Sequence, residues 1–353
     1  MLTKKRYSVK EMALWTRWET LMFLLFGLLV TILYEILGYT FLKVPWTPLA
    51  VIGTAVAFII GFQNNAAYGR IWEARKIWGG IVNTSRTFGM KVQDMVSDEY
   101  AKLPLGPESV KEAQRILIYR HVAWLTALRH AMRQSREWEV FDQHVTNREW
   151  SSSIYIPERV TSLDDDLYLY LSPEERHHVM SKGNKATALL YLQSRHLRIL
   201  KEQGLIWDFA FLNLENVLEE LFTLQGKSER IKNFPYPRQY ASLGYYFVWI
   251  FLILLPFGVV PEFAKIGEHI SGLFPIIGDH FVWLSVPFIG IVSWVFHTME
   301  RIGRVGENPF EGTANDVPIS TIARGIEIDI RQMLDESADL IPSQFPDHNH
   351  VQM

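Results

Sequence analysis

The sequence predicts an all-α membrane protein: four transmembrane helices per chain, with a large helical cytoplasmic region between the second and the third. Four apolar runs each approach the ~20 residues that cross ~30 Å of hydrocarbon. A long charged segment separates the two pairs of runs, and its apolar residues recur at helical rather than strand spacing. The chain has 353 residues, of which 48% are hydrophobic, so its average composition hides this division.

Residues 1–64 comprise an N-terminal segment and the first two predicted spans. The first span, residues 20–34, reads TLMFLLFGLLVTILY and carries no charge. The alternative is a cleaved signal peptide, but such a peptide has a shorter apolar core and a small-residue cleavage site, which does not follow here. A short loop, residues 38–45, leads to the second apolar run at residues 46–62. Two membrane-spanning helices are therefore expected before residue 65.

Residues 65–238 form the predicted helical cytoplasmic region. One helix is expected at residues 110–135, where apolar positions follow three- and four-residue steps and four arginines are spread around the helix. The SPEE sequence that begins at Ser172 is typical of a helix N-terminus, with a capping box and proline at the first helical position. Further helical patterns cover residues 186–203 and 207–224.

Residues 239–297 contain the third and fourth predicted spans, at residues 243–260 and 273–296. An Asp-His pair interrupts the fourth run. Prolines within these runs are compatible with spans when neighbouring helices satisfy the freed carbonyl groups. Residues 298–353 are expected to form a cytoplasmic C-terminal segment that ends in a disordered tail.

Basic residues flank the four runs unevenly. Five precede the first run, one lies between the first and second, one lies between the third and fourth, and two follow the fourth. They are Lys4, Lys5, Arg6, Lys10 and Arg17, then Lys43, then Lys265, then Arg301 and Arg304. Because basic residues concentrate in cytoplasmic loops, this pattern predicts a multi-pass protein with both termini and the middle region in the cytoplasm.

The composition argues against several classes of function. There are no cysteines, which excludes disulfides and thiolate chemistry. The net charge of -3 does not indicate a nucleic-acid partner. Adjacent His177 and His178 would point ~100° apart on a helix, so they would not converge on a metal ion. No catalytic or nucleotide-binding motif occurs, so no metal site, cofactor or enzymatic activity is predicted.

The end of the second run is its most informative part. It continues as FIIGFQNNAAYGRIWEARKIWGG, without a helix breaker other than single glycines. Thr54, Phe58 and Phe62 fall at i, i+4 and i+8, on one stripe of a helix. From spacing alone, that stripe is more typical of contact to lipid or to another helix than of a pore wall. Asn64 and Asn65, however, are costly against lipid and tolerable beside water, which favours the wall of a water-filled pore.

Two motifs resemble the bestrophin family, in its bacterial and plant-chloroplast branch. They are GFQNNAAYGRIWEARKIWGGIVNTSR, which begins at Gly61, and ENPFEGTANDVP at residues 307–318. The resemblance covers about residues 5–340. It implies a homopentameric channel around one axial pore, set in membrane lipid and conducting small monovalent ions. For this branch it also implies the inner (plasma) membrane of the cell.

The resemblance assigns pore residues by their position in the motif. Thr54, Phe58 and Phe62 would form a narrow hydrophobic neck, and the polar Asn64 and Asn65 would lie beside the pore. Family members have a second constriction, a cytoplasmic aperture, on a later helix. The best match for this aperture is Leu212.

The sequence departs from the family pattern in two places, and the resemblance leaves the ion open. Bacterial relatives typically read RWWEAR where this chain has Ile71. Animal members clasp calcium with an acidic run after Asn-Pro-Phe, of which only Glu311 and Asp316 remain. Phenylalanines at the neck are typical of anion-selective relatives, so chloride-like anions are expected. The alternatives are a cation-selective channel of the same family and a non-conducting membrane-anchored scaffold.

Overall fold

The structure is a computed structural model that describes residues 1–99, 101, 106–139 and 143–353. These residues form helices and connecting loops, and their only β-pairing is two isolated bridges near the chain ends. A short 3-10 helix, Phe281–Leu284, precedes α13. The α-helices of the described residues are α1 (Val9–Trp15), α2 (Arg17–Glu35), α3 (Trp46–Met95), α4 (Pro107–Arg133), α5 (Val145–Ser151), α6 (Pro157–Val160), α7 (Leu163–Leu167), α8 (Pro173–Met180), α9 (Lys185–Glu202), α10 (Asp208–Asn233), α11 (Arg238–Ser271), α12 (Pro275–His280), α13 (Ser285–Val305) and α14 (Ile319–Met333).

Among the described residues, four helical segments are long and apolar enough to cross a membrane, in agreement with the number and positions of the four predicted spans. They lie in α2, in the first part of α3, in α11, and in α12 with α13. A link of four residues, 234–237, separates α11 from α10, and its first residue, Phe234, is extended. Phe234 precedes Pro235, and a residue before proline is disfavoured in the helical conformation. The chain therefore turns at this point from the helical region of residues 65–238, which is predicted to be cytoplasmic and is called the cytoplasmic region below, into the third predicted span.

Helix α3 joins the membrane region to the cytoplasmic region without a break. It has 50 residues, which corresponds to ~75 Å at 1.5 Å per residue. Its single proline, Pro48, lies in the first turn, where a proline costs no intrahelical hydrogen bond. Leu49 and Ile60 belong to an apolar core shared with α11 and α13, whereas Trp78 and Phe88 belong to a second core in the cytoplasmic region. The second predicted span thus continues far beyond residue 62.

The cytoplasmic core forms where α4, α10 and α14 pack around the second half of α3, and α9 packs against α4 and α10. Ser172 caps α8 as expected, because its hydroxyl accepts a hydrogen bond from the backbone N–H of Glu175 at 3.3 Å. The carboxylate of Glu175 binds Arg120 of α4 instead of closing the capping box. Arg120, Arg129 and Arg133 are buried. Three of the four arginines that are spread around the helix predicted at residues 110–135 therefore belong to the interior.

The C-terminal tail is ordered, contrary to the prediction of a disordered tail. Val351 and Met353 are buried in a small cluster with Ile154 and Ile156. The backbone N–H of Thr3 donates to the carbonyl oxygen of His350 at 2.8 Å, which ties the N-terminal segment to the tail. The tail is polar in composition, but its few apolar side chains are covered by segments distant in sequence. Local composition does not reveal such long-range packing.

Candidate functional site

Helix α3 carries one exposed face along the apolar part of its length. Phe58 and Phe62 are 66% and 73% exposed, although they are large apolar rings. Thr54 is exposed on the same stripe, and its hydroxyl donates to the carbonyl oxygen of Ala50 at 2.9 Å, so its polar group is satisfied within the helix. Val56 and Ile60, on the opposite face, are buried. Thr54, Phe58 and Phe62 therefore share a face of α3 that the rest of the described residues leave exposed.

This exposed face forms one wall of a groove of about 800 Å³. The other wall consists of apolar side chains of α11 and α13. The residues that line the groove are Trp46, Leu49, Ala50, Gly53, Thr54, Ala57, Phe58, Gly61, Phe62 and Asn65 of α3, Phe251 and Leu255 of α11, and Phe288, Val292 and Phe296 of α13. Apart from Thr54 and Asn65 the lining is apolar, and it contains no charged side chain.

Small residues mark the side of α3 that adjoins the groove. Ala50, Gly53, Ala57 and Gly61 recur at three- and four-residue steps. A Cβ atom at Gly53 would lie 2.7 Å from the ring of Phe251, so glycine is required there for α3 and α11 to approach each other. A Cβ atom at Gly61 would meet nothing within 4 Å. Gly53 is therefore explained by packing within the subunit, whereas Gly61 is not.

The two asparagines after the neck stripe have different surroundings. The side-chain amide of Asn64 donates to the carbonyl oxygens of Ile60 at 2.9 Å and of Met299 at 3.0 Å. It also packs against Gly303 of α13. Asn65 is exposed and lines the groove. Of the predicted pair, only Asn65 lies beside the candidate pore surface, and Asn64 instead links α3 to α13.

A polar cluster at the end of the membrane region was not predicted. The amide of buried Gln63 donates to a carboxylate oxygen of Glu307 at 3.3 Å. The guanidinium of Arg70 donates to the carbonyl oxygen of Glu307 at 2.6 Å and to those of Ile231 at 2.9 Å and Phe234 at 3.0 Å. Burial raises the pKa of Glu307, and Arg238 opposes this shift. The cluster thus joins α3, the end of α10 and the ENPFEGTANDVP loop.

The ENPFEGTANDVP loop is held by its own acidic side chain. The carboxylate of Asp316 accepts hydrogen bonds from the backbone N–H groups of Gly312 at 2.7 Å and Thr313 at 3.0 Å. It also accepts from the hydroxyl of Thr313 and lies 3.9 Å from the guanidinium of Arg133. Gly312 has φ +98°, a conformation that L side chains rarely adopt. The carboxylate of Asp316 is therefore committed to bonds within the loop and to Arg133.

Leu212 lies near the other end of α3. It is 56% exposed on α10, which runs antiparallel beside α3. The ammonium of Lys91 contacts the carbonyl oxygen of the next residue, Asn213, at 3.4 Å. Residues 62 and 91 of α3 are separated by ~44 Å at 1.5 Å per residue. The two predicted constrictions therefore lie at opposite ends of the cytoplasmic part of α3.

No group of three or more histidine and acidic side chains is placed to hold a metal ion in the described part of the chain. His177 and His178 both lie on α8. The titratable clusters described above consist of arginine–carboxylate pairs with structural partners. The candidate site is thus the exposed surface of α3, whose uncharged and mostly apolar side chains are typical of a pore lining and not of a reaction centre.

Comparison with known proteins identifies relatives over nearly the whole chain. A family model described as bacterial/fungal bestrophin protein matches residues 12–332. The "voltage-dependent anion channel-forming protein YneE" of Escherichia coli K12 is 26% identical over 327 residues, which cover 92% of this chain and 88% of the relative. A protein of Ralstonia nicotianae, named voltage-dependent anion channel-forming protein RSc3414, is 28% identical over 290 residues, covering 82% of this chain and 78% of the relative.

Solved structures support the fold. A crystal structure of a bacterial bestrophin homolog from Klebsiella pneumoniae matches with a TM-score of 0.68 at 23% identity. The match covers 91% of this chain and 99% of that chain. At this identity the comparison establishes the arrangement of the helices and not the roles of individual side chains.

Proposed function

The chain belongs to the bestrophin family, a family of channels, and from this premise we propose that it forms an anion channel whose pore is lined by α3. The observation that carries the proposal is the exposed stripe of Thr54, Phe58 and Phe62, on a helix that continues unbroken from the membrane into the cytoplasmic region. A scaffold protein would have no need for exposed aromatic rings and Asn65 on the same face. A pore wall accounts for both.

The stripe acts as a hydrophobic neck in this proposal. Several copies of the chain around one axis would place rings of Phe58 and Phe62 against each other. A constriction lined by such rings empties of water when it is narrow, so it can gate conduction without a moving charge. Because the groove lining holds no charged side chain, the neck itself does not attract either sign of ion strongly.

Anions are favoured over cations for two reasons. The edges of aromatic rings carry positive partial charge, which can face a passing anion. The curated relatives from Escherichia coli and Ralstonia nicotianae are named as anion channel-forming proteins. We therefore propose small monovalent anions such as chloride as the permeating ions. A sodium- or potassium-selective channel is the alternative that a measured reversal potential would distinguish.

The subunit is proposed to assemble as a homopentamer. One chain exposes the neck stripe and cannot enclose a pore by itself. The groove beside the stripe is apolar, and its small residues would allow a helix of a neighbouring subunit to approach closely. Gly61, which has no packing role within the subunit, lies on this surface. Leu212 would form the second constriction, where the axial pathway leaves the cytoplasmic region.

The proposed topology places the cytoplasmic region and both chain ends on one side of the inner (plasma) membrane. The N-terminal segment and the tail meet in one small cluster with Ile154 and Ile156 of the cytoplasmic region. The termini and that region must therefore lie on the same side. The distribution of basic residues identifies this side as the cytoplasm.

Purified protein in planar lipid bilayers tests the proposal. Under a tenfold gradient of sodium chloride, an anion channel reverses near the chloride equilibrium potential, and a cation channel reverses near the sodium potential. Native mass spectrometry of the same preparation reports the subunit number. Absence of current from a preparation of intact oligomers would refute the channel, and a sodium-like reversal would refute the anion assignment alone.

A further inference from the structure

The exposed stripe of α3 continues straight through the cytoplasmic half of the helix. Buried positions recur along one face from Leu49 to Val92, so the opposite face keeps the same direction throughout. Lys76 follows Phe58 by 18 residues, which is five turns at 3.6 residues per turn. It therefore points in the same direction as Phe58, ~27 Å further along the helix axis. Lys76 is exposed.

Most charged side chains near Lys76 on α3 have polar partners among the described residues, and Arg75 contacts the Sδ atom of Met1 at 3.7 Å. Glu73 pairs with Arg230, and Arg70 binds three carbonyl oxygens. Arg86, further along, pairs with Asp329 at 2.6 Å. Within the described ranges no hydrogen bond or ion pair involves the ammonium of Lys76. Its charge is left available to whatever occupies the space in front of the stripe.

We propose that Lys76 forms a ring of ammonium groups that concentrates small inorganic anions in the cytoplasmic vestibule, ~21 Å along the helix axis from Phe62. This inference rests on the proposed function and adds a residue that biases the channel toward anions. The neck carries no fixed charge, so discrimination by charge has to arise elsewhere along the pathway. A wide, water-filled vestibule with one sign of charge raises the local concentration of the opposite ion.

One carboxylate lies in the same direction and has to be considered. Asp94 follows Lys76 by a further five turns and is exposed at the end of α3. The separation of ~27 Å along the axis exceeds the Debye length of ~10 Å at 0.1 M salt. Asp94 therefore does not cancel the field of Lys76 in the part of the vestibule around residue 76. The field of Asp94 itself acts on ions at the cytoplasmic end of the pathway.

The absence of cysteine from the chain allows a direct test. Lys76→Cys would carry one thiol per subunit, which can be modified by a negatively or a positively charged methanethiosulfonate reagent. The matched control is Lys182→Cys, because Lys182 is also exposed and lies outside α3. Chloride current and reversal potential are recorded in bilayers at 10 mM and at 1 M salt, before and after each reagent.

The negative reagent on Lys76→Cys should lower chloride current roughly 2- to 5-fold at 10 mM salt and shift the reversal potential toward that of the cation. The positive reagent should restore both. At 1 M salt, where the Debye length is ~3 Å, both effects should shrink below roughly 1.5-fold. Modification of Lys182→Cys should change neither quantity.

Two results would overturn the inference while leaving the channel proposal intact. The first is a conducting Lys76→Cys channel that is insensitive to both reagents. The second is an equal response at residue 182, which would indicate a general surface-charge effect. Absence of current from the unmodified wild-type protein would instead remove the proposed function, and the role of Lys76 would fall with it.

Discussion

The two halves of α3 are buried by different chemistry. In the membrane half, Val56 and Ile60 pack among the apolar side chains of α11 and α13. In the cytoplasmic half, the core around Trp78 also encloses ion pairs, such as Arg129 of α4 with Glu158. Lipid is as apolar as leucine, so helices in a membrane associate mainly through close contact at small residues. In water, hydrophobic burial supplies the driving force, and buried charges are retained only in pairs.

The largest expected effect is the loss of unfolding free energy when a buried ion pair of the cytoplasmic half is broken. Arg129→Ala would leave Glu158, whose side chain is only 1% exposed, without its nearest cation, and Arg133 would remain 3.8 Å away. Breaking a buried ion pair in this way costs ~3–5 kcal/mol of unfolding free energy. Arg86→Ala is the matched control, since its pair with Asp329 is exposed and worth ~0–1 kcal/mol. Thermal unfolding should separate the two variants, and equal losses would contradict the comparison.

In the membrane half, some aromatic rings are packed within the subunit and others lie on the exposed stripe of α3. Phe251 is 5% exposed and fills the space between α11 and α3, so Phe251→Ala should cost ~3–5 kcal/mol through a cavity. The double variant Phe58→Ala/Phe62→Ala should cost little stability because these rings pack against little within the subunit. Its conductance or open probability should rise, because water fills a wider and less apolar neck. Single-channel recording and thermal unfolding are measured in parallel.

The opposite pattern for the double variant would identify Phe58 and Phe62 as packing residues. Unchanged current together with a large loss of stability would have this meaning. The assignment of the neck would then have to be abandoned. The result for Phe251→Ala serves as the internal standard for what a packed ring costs in this membrane region.

Two glycines of α3 distinguish packing within the subunit from contact between subunits. Gly53→Val places atoms against the ring of Phe251 and should destabilise the subunit by ~1–3 kcal/mol. Gly61→Val meets nothing within the subunit, so the fold should survive. If Gly61 lies at the contact between subunits, native mass spectrometry should show a smaller fraction of intact oligomer. A Gly61→Val protein that assembles normally would place the contact elsewhere.

The sequence predicted the elements of the fold better than their partners. The continuous α3 was predictable because charge follows hydrocarbon without a helix breaker. The bond from Asn64 to the carbonyl oxygen of Met299 was not, since the partner lies 235 positions away in the chain. The burial of Arg129 was likewise hidden, because its acidic partners come from the short helices α6 and α7. Periodicity identifies a face of a helix, and long-range contacts decide what covers that face.

Acid should weaken the cytoplasmic half through a half-buried histidine. Burial lowers the pKa of His196 from 6.5 to about 4, and Arg120 adds to this shift by donating to its Nδ1 at 2.8 Å. Between these two values the unfolded chain binds more protons than the folded one. The contribution of His196 to the free energy of unfolding is therefore fully present above pH 6.5 and is lost as pH falls toward 4. The slope of melting temperature against pH should be smaller for His196→Gln, and an unchanged slope would exclude His196 as the cause.

The smallest expected effect is that of calcium. A calcium clasp requires several oxygen ligands that are free to converge on the ion. The carboxylate of Asp316 is already bound to two backbone N–H groups and to the hydroxyl of Thr313, and the guanidinium of Arg133 lies beside it. A divalent cation would have to displace these bonds and approach a fixed positive charge. Open probability should therefore stay constant when micromolar calcium is added and when it is chelated. A current that calcium switches on and a chelator switches off would mean that this loop rearranges into a cation site, and the role assigned to Asp316 would be wrong.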